Sequence, residues 1–310
     1  MNQTITARTA TDMLSLVPHL LGFHIDEGVV VVVCQARAVE VTMRFDHEMF
    51  AHPRQVQSRL LHLIARFETP RLFLVSYGER DQSDHALAIL EQALEPEEII
   101  DSIHTDGRHW WSRRCVEECC QGVACDDATA VAASAILNGS QALSSRAELE
   151  QLVQGPSLVT QSETLGAYEQ ARQAVGEIED QKDRRERVLQ LIDDATSNGW
   201  LSAPDACELA LLVGEIPARD DAWREMALSS ARQHVTVWQQ VVAVVPDAWA
   251  VPPLCLLAAA AWLEGNGALM GCALTRAERL DPDYSMIDLL QQIHLAAAPP
   301  SLWRELWQVG

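Results

Sequence analysis

One lysine, Lys182, stands among 23 basic residues; the other 22 are arginines scattered along the chain, forming no basic stripe. The chain therefore has no electrostatic footprint for nucleic acid, and its formal net charge of -21 repels phosphate backbones and anionic lipid alike. Long apolar runs are missing too. Neither Val29 to Val33 nor Leu254 to Leu263 approaches the roughly 18 residues a membrane helix needs. The first apolar stretch, Met13 to Leu21, is broken by Pro18 and His19 and follows no positive cluster, so a cytoplasmic protein is expected. Also absent are G-x4-G-K-[ST], G-x-G-x-x-G after a strand, G-x-S-x-G and H-E-x-x-H, which removes the usual anchors for nucleotide-binding, hydrolase and metalloprotease readings.

What remains is a folded chain of 310 residues, 48% hydrophobic, enough for one large or two ordinary domains. The acidic excess is even: residues 1–160 carry 12 basic and 22 acidic side chains, and residues 161–310 carry 11 and 22. Such an excess is simplest as a solvated surface; a nucleic-acid mimic, inhibiting a basic nucleic-acid-binding protein, is the functional alternative.

The first third alternates strand and helix patterns. Val29 to Cys34 reads as a strand buried on both faces. Val39 to Phe45 alternates, with Val39, Val41, Met43 and Phe45 on one face, and pairs with it. Pro53 opens a helix carrying Val56, Leu60, Leu61, Ile64 and Phe67. Arg71 to Tyr77 is a strand ended by Gly78, and Ser83 to Leu94 a helix capped by Ser83 or Asp84. Ile99 to Thr105 and His109 to Arg113 are strands around an Asp106-Gly107 turn. The fold class is α/β with a mixed sheet over residues 1–125, then an all-α region over 126–310.

In the second part, Asp126 or Asp127 caps a helix to Leu137 stopped by Asn138-Gly139, and Ser144 or Ser145 caps a short one. A long helix is expected from Leu165 to Ala195, with Asp180–Arg184 and Asp183–Arg187 ion pairs on a solvated face. Further helices are expected at 206–213, 220–230, 231–244, 253–264, 268–280 and 285–297. The run from Pro253 through Gly265-Asn266-Gly267 to Pro282 reads as a helical hairpin of tetratricopeptide type, and Pro246 and Pro282 lie 36 residues apart. Only one such unit is convincing, so a compact helical domain is expected rather than a solenoid.

Two clusters carry chemistry. Cys115, Cys119, Cys120 and Cys125 have the spacing C-x3-C-C-x4-C, with His104 and His109 near enough in sequence to complete a ligand set. Three states suit it: a structural zinc, reduced core thiols, or a redox pair beside Arg113 and Arg114. The spacing lacks the C-x2-C knuckle of most zinc sites. Asp106, Arg108 and His109, with Trp110 and Trp111, join a carboxylate, a guanidinium, an imidazole and two indoles in one turn. That mixture suits acid–base chemistry or ligand stacking; the plainer alternative is a hairpin turn with the indoles packed. Asp46 and His47 follow the second strand and are candidates for the same sheet end.

Several motifs together resemble a known family. Thr11-Asp-Met-Leu-Ser-Leu-Val-Pro18-His-Leu-Leu-Gly22-Phe23 before a Val-rich strand, Asp106-Gly-Arg-His-Trp110-Trp-Ser, the cysteines, Ser145-Arg146-Ala-Glu-Leu and the Pro253 run occur in the order of the actinobacterial family known as domain of unknown function 4192. The resemblance spans nearly the whole chain, implies a high-GC source consistent with the arginine bias, and implies no activity. Gln121 replaces the proline common after the paired cysteines, and Ile25 and Glu27 replace Pro and Ser after Gly22-Phe23. The leading functional expectation is a non-enzymatic interaction or adaptor protein with a protein partner or self-association. The alternative is an enzyme using Asp106, Arg108 and His109.

Overall fold

The computed structural model describes residues 5–115, 121–138, 140–157 and 161–303. The fold divides into two compact units, Met1–Arg146 and Ala147–Gly310. The change from mixed to purely helical pattern at Asp126 and the division of the fold thus fall at different places, because the first all-α segment packs with the first unit.

The first unit is built on a mixed six-stranded sheet in the order β2-β1-β3-β4-β5-β6. Its strands are β1 (Gly28–Gln35), β2 (Ala38–Phe45), β3 (Arg71–Tyr77), β4 (Ile99–Thr105), β5 (His109–Ser112) and β6 (Val123–Ala124). Val29 to Val33 are wholly buried, which is why this strand reads as a continuous β-branched run. β1 pairs antiparallel with β2 and with β3, and β3 pairs parallel with β4 through a helical crossover. The alternation expected along β2 fails at one point. Val33 pairs with Val41 and Cys34 with Val39, so Glu40 is an extra residue in a bulge. Met43 and Phe45 keep the buried face, while Val39 leaves it and stands 38% exposed.

Helix α1 (Ala10–Leu21) starts with a capping box between Thr9 and Asp12 and ends at left-handed Gly22. Its Leu16 packs with Val131 and Ala135 of α4 (Ala130–Leu137). The α4 cap is Thr129, whose hydroxyl accepts the Ala132 amide at 3.1 Å, rather than Asp126 or Asp127. Asp126 instead takes the Ala128 amide in a local turn. α2 (Pro53–Ile64) begins at its proline as expected. The crossover helix α3 (Arg80–Glu91) begins three residues before the expected cap. Ser83 lies inside it, buried, and accepts a 2.9 Å hydrogen bond from Ser76 of β3. A serine that looks like a cap is thus a packing contact.

The second unit contains α5 (Arg146–Gln151), α6 (Gln161–Glu177), α7 (Gln181–Asn198), α8 (Ala203–Leu212), α9 (Ile216–Arg224), α10 (Ala231–Val244), α11 (Val251–Glu264), α12 (Gly267–Leu280) and α13 (Ser285–Leu295). The long helix expected over 165–195 is two helices. Asp180 breaks it by capping α7 through the Lys182 amide at 2.7 Å, so it forms no i,i+4 pair with Arg184. Arg184 bonds the Ile178 carbonyl and Glu215, and Arg187 bonds Glu208 at 2.8 and 2.9 Å in place of Asp183. α9 starts at Ile216, four residues ahead of expectation, because Pro217 sits in its first turn.

The hairpin at the end is present. α11 is buried from Val251 to Leu263 apart from Pro252, left-handed Gly265 ends it, and the Asn266 side chain caps α12 through the Leu269 amide at 3.0 Å. A helix apolar all round must be enclosed, and α9, α10, α12 and α13 all pack against α11. These four are its two neighbours in sequence on either side. No helix among the described residues is long and apolar enough to cross a membrane.

Candidate functional site

The β4–β5 turn is a fixed loop whose carboxylate is already occupied. Asp106 Oδ1 accepts the amides of Arg108 at 2.8 Å and His109 at 2.6 Å. Those amides, His109 foremost, hold the Asp106 carboxyl below the usual carboxylate range against the opposing effect of its partial burial. Gly107 takes φ 84°, the left-handed region this tight tip requires. Thr105 completes the turn by donating to the His109 carbonyl at 2.8 Å and accepting the Gly107 amide at 3.1 Å. Asp106, Arg108 and His109 are adjacent and exposed, as a site would need. The first of them is a turn anchor, though, and its lowered pKa unsuits it to general acid chemistry near neutral pH.

Behind the turn, the carboxyl ends of parallel β3 and β4 gather three histidines. His47 Nε2 lies 2.9 Å from the Tyr77 carbonyl oxygen; because a carbonyl only accepts, that nitrogen carries the proton. His104 Nε2 likewise donates to the Gly78 carbonyl at 3.0 Å. His47 therefore reaches this end of the sheet, while the Asp46 carboxylate pairs with Arg44 at 2.6 Å. His104 is 5% exposed and stacks on Trp111 with ring centroids 5.2 Å apart, and the Arg80 guanidinium lies 5.9 Å from the same indole. His109 is tilted against Trp111 at 6.1 Å. A Cβ on Gly122 would come within 2.8 Å of Trp111, so the indole is walled in by backbone. Trp111 thus packs between the histidines and the loop after β5.

The cysteine cluster is only half visible: Cys119 and Cys120 lie outside the described residues. Cys115 is exposed. Cys125 sits half-buried with its Sγ 3.5 Å from Thr105 Oγ1, and burial, with lesser effects from Asp127 and Asp106, pushes its thiol up. A thiol so held is a poor nucleophile at neutral pH, which weighs against its half of a redox pair. No group of three or more metal-ligating side chains that could hold an ion occurs among the described residues.

The charged stretch around the α6–α7 break borders an open groove of about 820 Å3 with Glu177, Glu179, Asp180, Asp183 and Glu186 on its walls. Further along, Trp200 is 67% exposed at the corner between α7 and α8. The corner is rigid: Gln240 Oε1 accepts the Leu201 amide at 2.8 Å and its Nε2 donates to the Gly199 carbonyl at 3.3 Å, pinning the chain on both sides of the indole. Sequence reasoning missed this residue. The signal was there, a tryptophan directly after a helix-ending Asn198-Gly199, where the side chain is turned outward.

A family model described as a domain of unknown function, DUF4192, matches residues 11–301. The chain belongs to this family. No curated protein and no solved structure matches it. In this DUF4192 chain, Glu27 and Gln121 stand where the resemblance implies other residues. Glu27 offers its backbone carbonyl to Arg44 at 3.0 Å, a contact any residue could make, and lies near Gly78 at the sheet end.

Proposed function

We propose that this chain is a cytoplasmic, non-enzymatic interaction protein whose helical unit presents the surface for a protein partner. The observation that carries the reading is Trp200, two-thirds exposed and held in place by Gln240. Large rigid aromatics anchor interfaces because they desolvate much area at small entropic cost. The net charge of -21 favours a protein partner over nucleic acid or membrane. The test uses the full chain as bait on native lysate, beside a Trp200→Ala bait, with light scattering to follow self-association. A stoichiometric partner or a self-complex, weakened at least about tenfold by the substitution, is expected. A monomer that retains no partner overturns the reading.

A second reading, an enzyme at the Asp106–His109 loop, is favoured by the gathering of His47, His104 and His109 at the carboxyl ends of parallel strands, where ligands of α/β sheets commonly bind. In it, His109 and Arg108 carry the chemistry and Asp106 positions them. Turnover of a metabolite pool that survives His109→Ala and Arg108→Ala would dismiss it.

A further inference from the structure

We propose that a second copy of this chain docks on the exposed face of α2, presenting to it the acidic groove at the α6–α7 break. This rests on the interaction reading above and takes self-association as its form. Arginines are scattered along the whole sequence, yet residues 49–67 hold Arg54, Arg59 and Arg66 with no carboxylate among them. α2 buries Val56, Leu60, Leu63 and Ile64, so Arg54, Ser58, His62 and Ala65 fall on its opposite, exposed face at helical spacing. Arg66 follows the helix and is exposed, and Leu61 flanks the face at 44% exposure. Arg54 stands in the first turn, where no acidic residue offsets the partial positive charge of the helix end. Arg59, at the edge of the face, lies over the Phe45 ring at 5.8 Å, its Nε unpartnered among the described residues. The face is thus cationic with an apolar flank, and its own helix supplies no carboxylate to balance it.

The groove is its complement. Glu177, Glu179 and Asp183 line it and form no ion pair among the described residues, whereas Asp180 is occupied in capping α7 and Glu186 pairs with Lys182 at 3.3 Å. Arg187, the basic residue on its wall, is already held by Glu208, and half-buried Ile178 offers an apolar patch to meet Leu61. At about 820 Å3 the groove has room for the side chains of one helix face. Two copies of net charge -21 repel at a distance, but physiological salt screens that repulsion beyond about 8 Å, and the facing groups act inside that range. A nucleic acid or lipid surface would overlap the acidic remainder of the chain, while a groove meets α2 alone. Because the two surfaces differ, the contact is head-to-tail, and copies add in a row or close into a ring.

The test is sedimentation velocity of the full chain over a range of concentrations, with two charge-reversed variants. One carries Arg54→Glu and Ser58→Glu; the other carries Glu177→Lys and Glu179→Lys. All four positions are exposed, and thermal unfolding of each variant checks that the fold is kept. Wild type is expected to self-associate, and each variant alone to do so at least about fivefold more weakly. An equimolar mixture of the two variants should regain association. In it, glutamates on α2 face lysines in the groove, and each unaltered surface meets its natural opposite. A monomeric wild type overturns the proposal, and so does a mixture no more associated than its parts. The interaction reading is separable from this result: a monomeric wild type that captures a partner lost on Trp200→Ala leaves that reading standing and removes this contact. An assembly lost on Trp200→Ala and untouched by the charge reversals does the same.

Discussion

Asp106 and His109 are joined by a 2.6 Å hydrogen bond from amide to carboxylate, and that bond decides what the hairpin tip is. With the Arg108 amide on the same oxygen, the side chain most suited to catalysis is instead the local scaffold.

Asp106→Ala should therefore lower stability by about 1–2 kcal/mol, the loss of two charge-assisted bonds at an exposed turn. Asp106→Asn, which keeps an acceptor, should lose less than half of that. Urea unfolding followed by tryptophan fluorescence measures both. The pH dependence has a defined sign: the folded pKa of Asp106 is depressed, so its contribution is present above the unfolded value near 3.8 and fades as pH falls through the folded value. Equal stability of wild type and both variants at neutral pH would mean the turn holds without the carboxylate.

The β1–β2 hairpin carries strain that can be relieved. Its two linking residues, Ala36 and Arg37, have φ 48° and 71°, both in the left-handed region. A two-residue turn of this kind favours Asn-Gly, and each ordinary side chain there costs about 1 kcal/mol. Ala36→Asn with Arg37→Gly should raise the melting temperature, with a gain of about 1–2 kcal/mol at 25 °C. Arg37 is exposed, so no packing is lost to confuse the result. A lower melting temperature in the double variant would show that the turn is held by something other than its backbone preference.

Strand positions are legible in the sequence wherever burial is two-sided or turns are marked, as at Val29 to Val33, at Gly78 and at Asp106-Gly107. The bulge at Glu40 is not, because a one-residue insertion leaves the hydrophobic pattern of Met43 and Phe45 intact and shows itself only in pairing. Helix ends misread for a related reason. Ser83, Asp126 and Asp180 have capping chemistry, yet which of them caps depends on where the backbone turns: Ser83 is packed, Asp126 makes a turn, and Asp180 caps in the middle of an apparently continuous helix. The candidate loop was found through its composition; the role of Asp106 within it depends on two amide directions that spacing does not encode.

Arg276 and Gly155 give the second unit a steric test. Arg276 is 7% exposed, donates to the Val153 carbonyl at 2.5 Å and pairs with Asp247 at 2.6 Å. A Cβ on Gly155 would lie 2.6 Å from its guanidinium. Gly155→Ala must shift the end of that side chain, straining its bonds to Val153 and Asp247, and should destabilise by about 1 kcal/mol. Adding Arg276→Met removes the clash along with the bonds, so the double variant should be closer to Arg276→Met alone than additivity predicts. Chemical denaturation of the four species closes the cycle, and strict additivity would place the effect of Gly155 elsewhere.

His234 makes the bundle acid-sensitive. It lies on α10, 2% exposed, with no partner for Nδ1 among the described residues, and burial pushes its pKa down to about 4. The unfolded chain takes up the proton near pH 6.5, well before the folded one, so stability is full above that pH and declines as pH falls toward 4. Below 4 the loss levels off, having reached about 3 kcal/mol, since both states are then protonated. His234→Leu supplies an apolar side chain of similar size to a site where one nitrogen goes unpaired, so it should retain the fold at pH 7 and flatten the decline between pH 6.5 and 4. Urea midpoints taken across that range for both proteins decide the matter: parallel slopes would assign the acid sensitivity to other groups.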